Sequence, residues 1–94
     1  MQSEKQIETR LRLKARAAGG LALKFVSPGF SGVPDRLVFM PGGRIYLVEL
    51  KASGRTLTKL QLKVKAMFEG LGFKYYIINS YEAVEEFIDE ICTA

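Results

Sequence analysis

Gly32-Val33-Pro34-Asp35-Arg36-Leu37-Val38-Phe39-Met40-Pro41-Gly42-Gly43-Arg44-Ile45-Tyr46-Leu47-Val48-Glu49-Leu50-Lys51 is the stretch that decides the fold. Pro41-Gly42-Gly43 splits it into two runs rich in apolar and β-branched residues, Asp35 to Met40 and Arg44 to Lys51. That pattern predicts two antiparallel strands joined by a tight turn. A three-residue turn pairs Met40 with Arg44 and brings Asp35 opposite Glu49, with Cβ atoms about 5 Å apart. A slip of one residue would put the two acids on opposite faces. Glu49 and Lys51 are two apart and share a face. Facing carboxylates repel unless one holds a proton or a cation lies between them. Hard oxygen ligands suit Mg²⁺ or Mn²⁺, which also bind phosphate oxygens. Lys51 would then hold or activate an attacking water, or neutralise charge on a phosphate. The bland alternative is an ion pair of Lys51 with Asp35 or Glu49 at a strand end, and Glu-x-Lys alone does not separate the two.

Working outward, both faces of the hairpin are apolar. Leu37, Phe39, Ile45 and Leu47 make one, and Val38, Met40, Tyr46, Val48 and Leu50 the other. Such a sheet is expected to be covered on both sides. Residues 3–18 read as a helix, with Ser3 and Gln6 at capping-box spacing, an apolar stripe of Ile7, Leu11, Ala15 and Ala18, and Gly19-Gly20 as the stop. On that helix Glu8 has Arg12 one turn on, which predicts an ion pair. Leu21 to Val26 reads as a strand and Ser27 to Pro34 as a loop, with Phe30 expected to tuck into the core rather than stack on a base. Beyond the hairpin, Thr58 and Gln61 form a second capping box, and Leu57 with Leu62 can form a hydrophobic staple. The helix runs to about Leu71, with Leu60, Val64, Met67, Phe68 and Leu71 expected in the core. Phe73 to Ile78 is a fourth strand. Asn79 and Glu82 are expected to cap a last helix whose apolar face is Tyr81, Val84, Phe87, Ile88 and Ile91. The order is α-β-β-β-α-β-α, a meander followed by a crossover that allows a parallel fourth strand.

Composition narrows the chemistry. The 94 residues fit one domain, 1–94, with 48% hydrophobic and 26% charged residues. A net charge of +4 favours a polyanionic partner. There is no histidine, which removes Ser-His-Asp and Cys-His nucleophilic machinery and histidine metal sites. The single cysteine, Cys92, builds neither a disulfide framework nor a zinc site, and fits a reducing interior such as cytoplasm. No apolar run approaches a membrane span. Arg36, Arg55, Lys59, Lys63 and Arg12 are the expected DNA-contacting side chains, Arg55 and Lys59 first because they flank the acidic site in sequence.

Pro34-Asp35 followed by Glu49-Leu50-Lys51 resembles the PD-(D/E)xK nuclease pattern, and the element order resembles that superfamily's restriction-endonuclease-like αβββαβ core: α/β, a mixed four-stranded sheet flanked by helices. Gly32-Val33-Pro34-Asp35, Val48-Glu49-Leu50-Lys51 and Gln61 look like the virus-type replication-repair nuclease (VRR-Nuc) branch, over nearly the whole chain from Glu8 to about Ile78. The resemblance implies that Asp35 and Glu49 ligate a metal ion with the Leu50 carbonyl as third ligand, and that Lys51 is the catalytic lysine. It implies that Gln61 lies beside the site and orients Lys51, water or phosphate. Glu8 would complete the metal environment, often through water, which reverses the ion-pair reading. Stand-alone members are found in phages and bacteria, and the resemblance implies a homodimer acting in a bacterial or phage-infected cell.

Three readings stay open. The first is a Mg²⁺- or Mn²⁺-dependent endonuclease that cuts four-way (Holliday) junctions or other branched DNA through in-line attack of a metal-activated water. The second is a non-catalytic DNA-binding module on the same fold. The third is an unrelated small α/β interaction domain. A dimer patch is expected among Phe30, Tyr75 and Tyr81.

Overall fold

In a computed structural model describing residues 1–93, Ser3 and Gln6 close the expected capping box and start helix α1 (Glu4–Ala17). The box satisfies two backbone donors that no helical turn reaches. Ile7, Leu11 and Ala15 of its apolar stripe are buried. Strand β1 (Leu21–Lys24) follows, then the loop to β2 (Arg36–Met40), β3 (Arg44–Leu50), helix α2 (Lys59–Gly70), β4 (Tyr75–Ile78) and helix α3 (Tyr81–Cys92). The element order matches the sequence reading, with β1 and β4 shorter than expected and β2 starting one residue later.

The sheet runs β1-β2-β3-β4, antiparallel except for the parallel pair β3 and β4. This is the mixed four-stranded sheet flanked by helices that the sequence leads one to expect. Met40 pairs with Arg44 and Arg36 with Val48, the register that the three-residue turn dictates. The next positions along are Asp35 and Glu49. Phe25 N–H donates to the Asp35 carbonyl at 2.8 Å, so the ladder between β1 and β2 extends one step into the site.

Helices α1 and α3 cover one sheet face, burying Val38, Met40, Tyr46, Val48, Leu50 and Ile78 with Val84, Phe87 and Ile91. The other face is covered only in part. There Leu47, Leu57 and Tyr75 form a small cluster with Leu37 and Phe68 against them. Of the α2 residues expected in the core, only Val64 is buried; Leu60 and Met67 are exposed and Leu71 is 73% exposed. Leu62, the expected staple partner of buried Leu57, is exposed as well. Periodicity shows which face of a helix is apolar, but the short strands do not extend far enough to cover the whole of this one. The last helix is capped by Ser80, which accepts from Ala83 N–H, and not by Asn79.

Gly32 docks the loop before β2 against α2. Its φ is +89°, and a Cβ there would lie 2.9 Å from Leu60 Cγ. Only glycine meets both demands cheaply. The contact ties the Gly-Val-Pro-Asp turn to the helix that carries Gln61.

Candidate active site

The site is built from the ends of β2 and β3 and the first turn of α2. Buried Pro34 fixes the entry to β2, and Asp35 follows it. Asp35 Oδ2 accepts from Leu50 N–H at 2.9 Å, a charge-assisted bond that holds the carboxylate across the strand pair. Glu49 is 3% exposed, the one buried charged residue among the described residues. Its Oε2 accepts from Gln61 Nε2 at 2.8 Å and lies 3.3 Å from Lys51 Nζ. Its Oε1 is buried and without a hydrogen-bond partner. Burial, and after it the charge of Asp35, push the Glu49 carboxyl above its usual range, while Lys51 and Gln61 pull it back.

Gln61 does two jobs. Its Oε1 accepts from Thr58 N–H at 3.0 Å, completing the α2 capping box, while its Nε2 holds Glu49. Capping and site are one arrangement, because the cap fixes the rotamer that aims the amide at the carboxylate.

Asp35 and Glu49 suit a hard divalent cation. A buried carboxylate oxygen left without a donor is costly, and a cation removes that cost together with the repulsion between the two acids. Among the described residues no group of three or more His, Cys, Asp or Glu side chains gathers. Mg²⁺ is commonly held by one or two carboxylates, with waters and substrate phosphates for the rest. Leu50 lines the same hollow as Asp35, with its N–H engaged.

No family model matches the sequence. A protein of Acyrthosiphon pisum secondary endosymbiont phage 1 named "Putative nuclease p44" is 46% identical over 79 residues, which are 84% of this chain and 85% of that protein. A solved structure described as "VRR_NUC domain" superposes with a TM-score of 0.86 at 28% identity, over 94% of this chain and 97% of the other. The chain belongs to the VRR-Nuc nuclease family.

In this VRR-Nuc chain, Glu8 is engaged by two arginines. Its Oε1 lies 3.3 Å from Arg12 Nε, and its Oε2 accepts from the Arg36 guanidinium. The helical ion pair first read from the sequence is therefore present, joined by an arginine from β2. Glu8 still lines a hollow of about 340 Å³ with Asp35, Arg36, Leu50 and Lys24. Arg12 and Arg36, both expected to contact DNA, are engaged by Glu8. Arg55, by contrast, lines a second hollow of about 300 Å³ with Lys51, Thr56 and Thr58, and Lys59 and Lys63 are exposed on α2.

Glu4, which the sequence reading passed over, lines both hollows. Its position one turn before Glu8 on α1 was the available signal. The aromatic patch divides. Phe30 is 43% exposed and lines an apolar groove with Met67 and Leu71 instead of tucking into the core. Tyr75 is buried, so it forms no part of an exposed patch. Tyr81 is half-buried, with the Arg10 guanidinium 4.0 Å from its ring centroid. No helix among the described residues is long and apolar enough to cross a membrane.

Proposed function

We propose that this chain is a divalent-metal-dependent DNA endonuclease that cuts branched DNA, four-way junctions above all, as a homodimer in the cytoplasm of a bacterial or phage-infected cell. The reading rests on one observation: the Asp35 carboxylate anchored beside Glu49, whose Oε1 is unengaged while Lys51 and Gln61 hold its Oε2.

Asp35, Glu49 and the Leu50 carbonyl would hold Mg²⁺ or Mn²⁺, which would lower the pKa of a water and neutralise charge on the phosphate. The chain's own side chains do the rest. Gln61 keeps Glu49 oriented. The Lys51 ammonium, beside Glu49, donates to a non-bridging phosphate oxygen or to the attacking water. Water oxygen bonds to phosphorus as the water gives up one proton to solvent, one ester P–O bond breaks, and the leaving oxygen takes a proton from solvent. Arg55, Lys59 and Lys63 on one side, and Lys5 and Lys24 on the other, offer phosphate contacts to the strand on either side of the cut. Glu8 acts on this track through Arg36 and Arg12.

A second copy of the chain would cover the apolar sheet face that α2 leaves open, around Leu21, Leu23 and Ile45. A two-fold axis would then present two sites to a symmetric junction.

The test is cleavage of labelled four-way junction, duplex, flap and single strands in Mg²⁺, Mn²⁺ or EDTA. Metal-dependent cutting that Asp35→Ala and Lys51→Ala each abolish, with paired symmetric nicks in the junction, is the expected result. Binding without cutting in every metal would replace it with a DNA-binding module.

A further inference from the structure

Two buried side-chain oxygens among the described residues have no hydrogen-bond partner, and both are on the same sheet face: Glu49 Oε1 and the Tyr75 hydroxyl. Tyr75 pairs with Leu47 across the parallel β3–β4 ladder, and Glu49 is the next residue of β3 on that face. A tyrosine is long enough to reach such a diagonal neighbour.

Packing does not account for the hydroxyl. Tyr75 is 8% exposed and sits among Leu47, Leu57, Leu37 and Phe68, where phenylalanine would fill the same space with no polar atom to satisfy. A buried hydroxyl without a partner costs about 1–3 kcal/mol. Nearby Lys65 offers no relief. Its Nζ is 5.8 Å from the Tyr75 ring centroid and donates instead to both Glu69 carboxylate oxygens at 3.1 Å. A phenolic hydroxyl carries its proton at neutral pH and so can donate.

Of the two orphans, one is a donor and the other an acceptor. The Oε2 side of Glu49 is already occupied by Gln61 and Lys51, so Oε1 is the oxygen left to a ligand. A carboxylate that binds a metal commonly accepts a hydrogen bond as well, and that bond fixes its orientation. We propose that Tyr75 is a positioning residue of this site, its hydroxyl donating to Glu49 Oε1 or to the water that oxygen holds when a divalent cation is bound. The inference rests on the metal-site reading of Asp35 and Glu49.

The test measures Mn²⁺ binding to the full chain by loss of the free-ion electron paramagnetic resonance signal, for wild type, Tyr75→Phe and Asp35→Asn, with thermal melts in EDTA alongside. The expected result is Mn²⁺ binding weakened on the order of tenfold in Tyr75→Phe, with its metal-free Tm at or above wild type, and binding lost in Asp35→Asn. A weakening below about threefold in Tyr75→Phe, with Asp35→Asn inactive in binding, overturns the inference and leaves the metal site standing. A weakened affinity accompanied by a metal-free Tm several degrees below wild type makes the hydroxyl a structural group and also overturns it. Wild type without saturable Mn²⁺ binding removes the metal-site reading and this inference with it.

Discussion

Gln61 Nε2 donates to Glu49 Oε2 at 2.8 Å from the third residue of α2, while the other end of the same amide caps that helix. The two tasks can be separated by mutation. Thr58→Ala removes the hydroxyl that accepts Gln61 N–H and leaves the Gln61–Glu49 bond in place. It should cost about 1 kcal/mol of stability and little cleavage. Gln61→Glu can still accept from Thr58 N–H but sets a carboxylate against a buried one, so it should lose cleavage far more than stability. Melting curves beside cleavage rates decide this; equal loss of activity in both variants would refute the division.

The Glu49 carboxyl is held above its ordinary 4.5, by burial first and by Asp35 second. A raised carboxyl binds its proton more tightly in the folded chain than in the unfolded one. Its cost to stability is therefore absent below pH 4.5 and grows as pH rises through the folded value. In EDTA, the stability of wild type minus that of Glu49→Gln should become more unfavourable from pH 4 to pH 8, and added Mn²⁺ should remove the trend in wild type. Metal affinity should fall with acid at a higher pH than an ordinary glutamate would set. A pH-independent difference between the two proteins would contradict this electrostatic account.

Glu8 ties Arg12 and Arg36 together, and the Arg36 side chain is only 13% exposed. Removing the carboxylate leaves a mostly buried guanidinium without its partner. Glu8→Ala should lose on the order of 1–3 kcal/mol of stability and keep its Mn²⁺ affinity within a few-fold of wild type. Calorimetry and Mn²⁺ titration measure the two separately. A stable variant with lost metal binding would instead put Glu8 among the metal ligands.

How far these relationships could be read beforehand differs by residue. The pairing of Met40 with Arg44 follows from the length of the Pro41-Gly42-Gly43 turn, and both capping boxes follow from local spacing. Asp35 beside Glu49 is a consequence of that register. Partners distant in sequence were not legible. Nothing local to Glu8 points to Arg36, which is 28 positions away. Asn79 and Ser80 are both good cap residues; Asn79 had Glu82 at capping-box spacing, yet the backbone places Ser80 at the cap, accepting from Ala83 N–H without a reciprocal side chain. Tyr75 and Tyr76 sit on opposite faces of a strand apolar on both sides, so alternation could not tell which one was buried under α2. The exposure of Leu60, Met67 and Leu71 depends on where the sheet ends, which helical periodicity does not encode.

Formal charge overstates the surface available to DNA. Arg10 and Lys14 both lie within 3.5 Å of Glu85, and Arg10 also stacks over Tyr81. Arg55 lines the hollow that holds Lys51. Arg55→Ala should weaken junction binding and lower the slope of log affinity against log salt by about one contact. Arg10→Ala should leave that slope unchanged. Binding titrations between 50 and 200 mM salt give both values. Equal slope changes would mean that the Glu85 pairs dissociate on DNA.

The proposed dimer would use the open sheet face. Leu21, Phe39 and Ile45 align across β1, β2 and β3, and Leu23 aligns with Leu37 and Leu47 one step nearer the site. Leu21 and Leu23 are each nearly half exposed on the edge strand β1, and that face continues through Phe25 into the groove bordered by Phe30, Met67 and Leu71. Covering what remains exposed of each leucine would contribute about 0.7–1.5 kcal/mol, half the value for a fully exposed side chain, so a second copy across the whole face has a driving force. A lysine at position 23 would set two ammonium groups near the proposed two-fold axis without disturbing the opposite, well-packed face. Light scattering should show wild type as a dimer and Leu23→Lys as a folded monomer of similar Tm. The variant should cut a junction in unpaired single nicks. A wild-type monomer, or a Leu23→Lys protein that stays dimeric, would place the interface elsewhere.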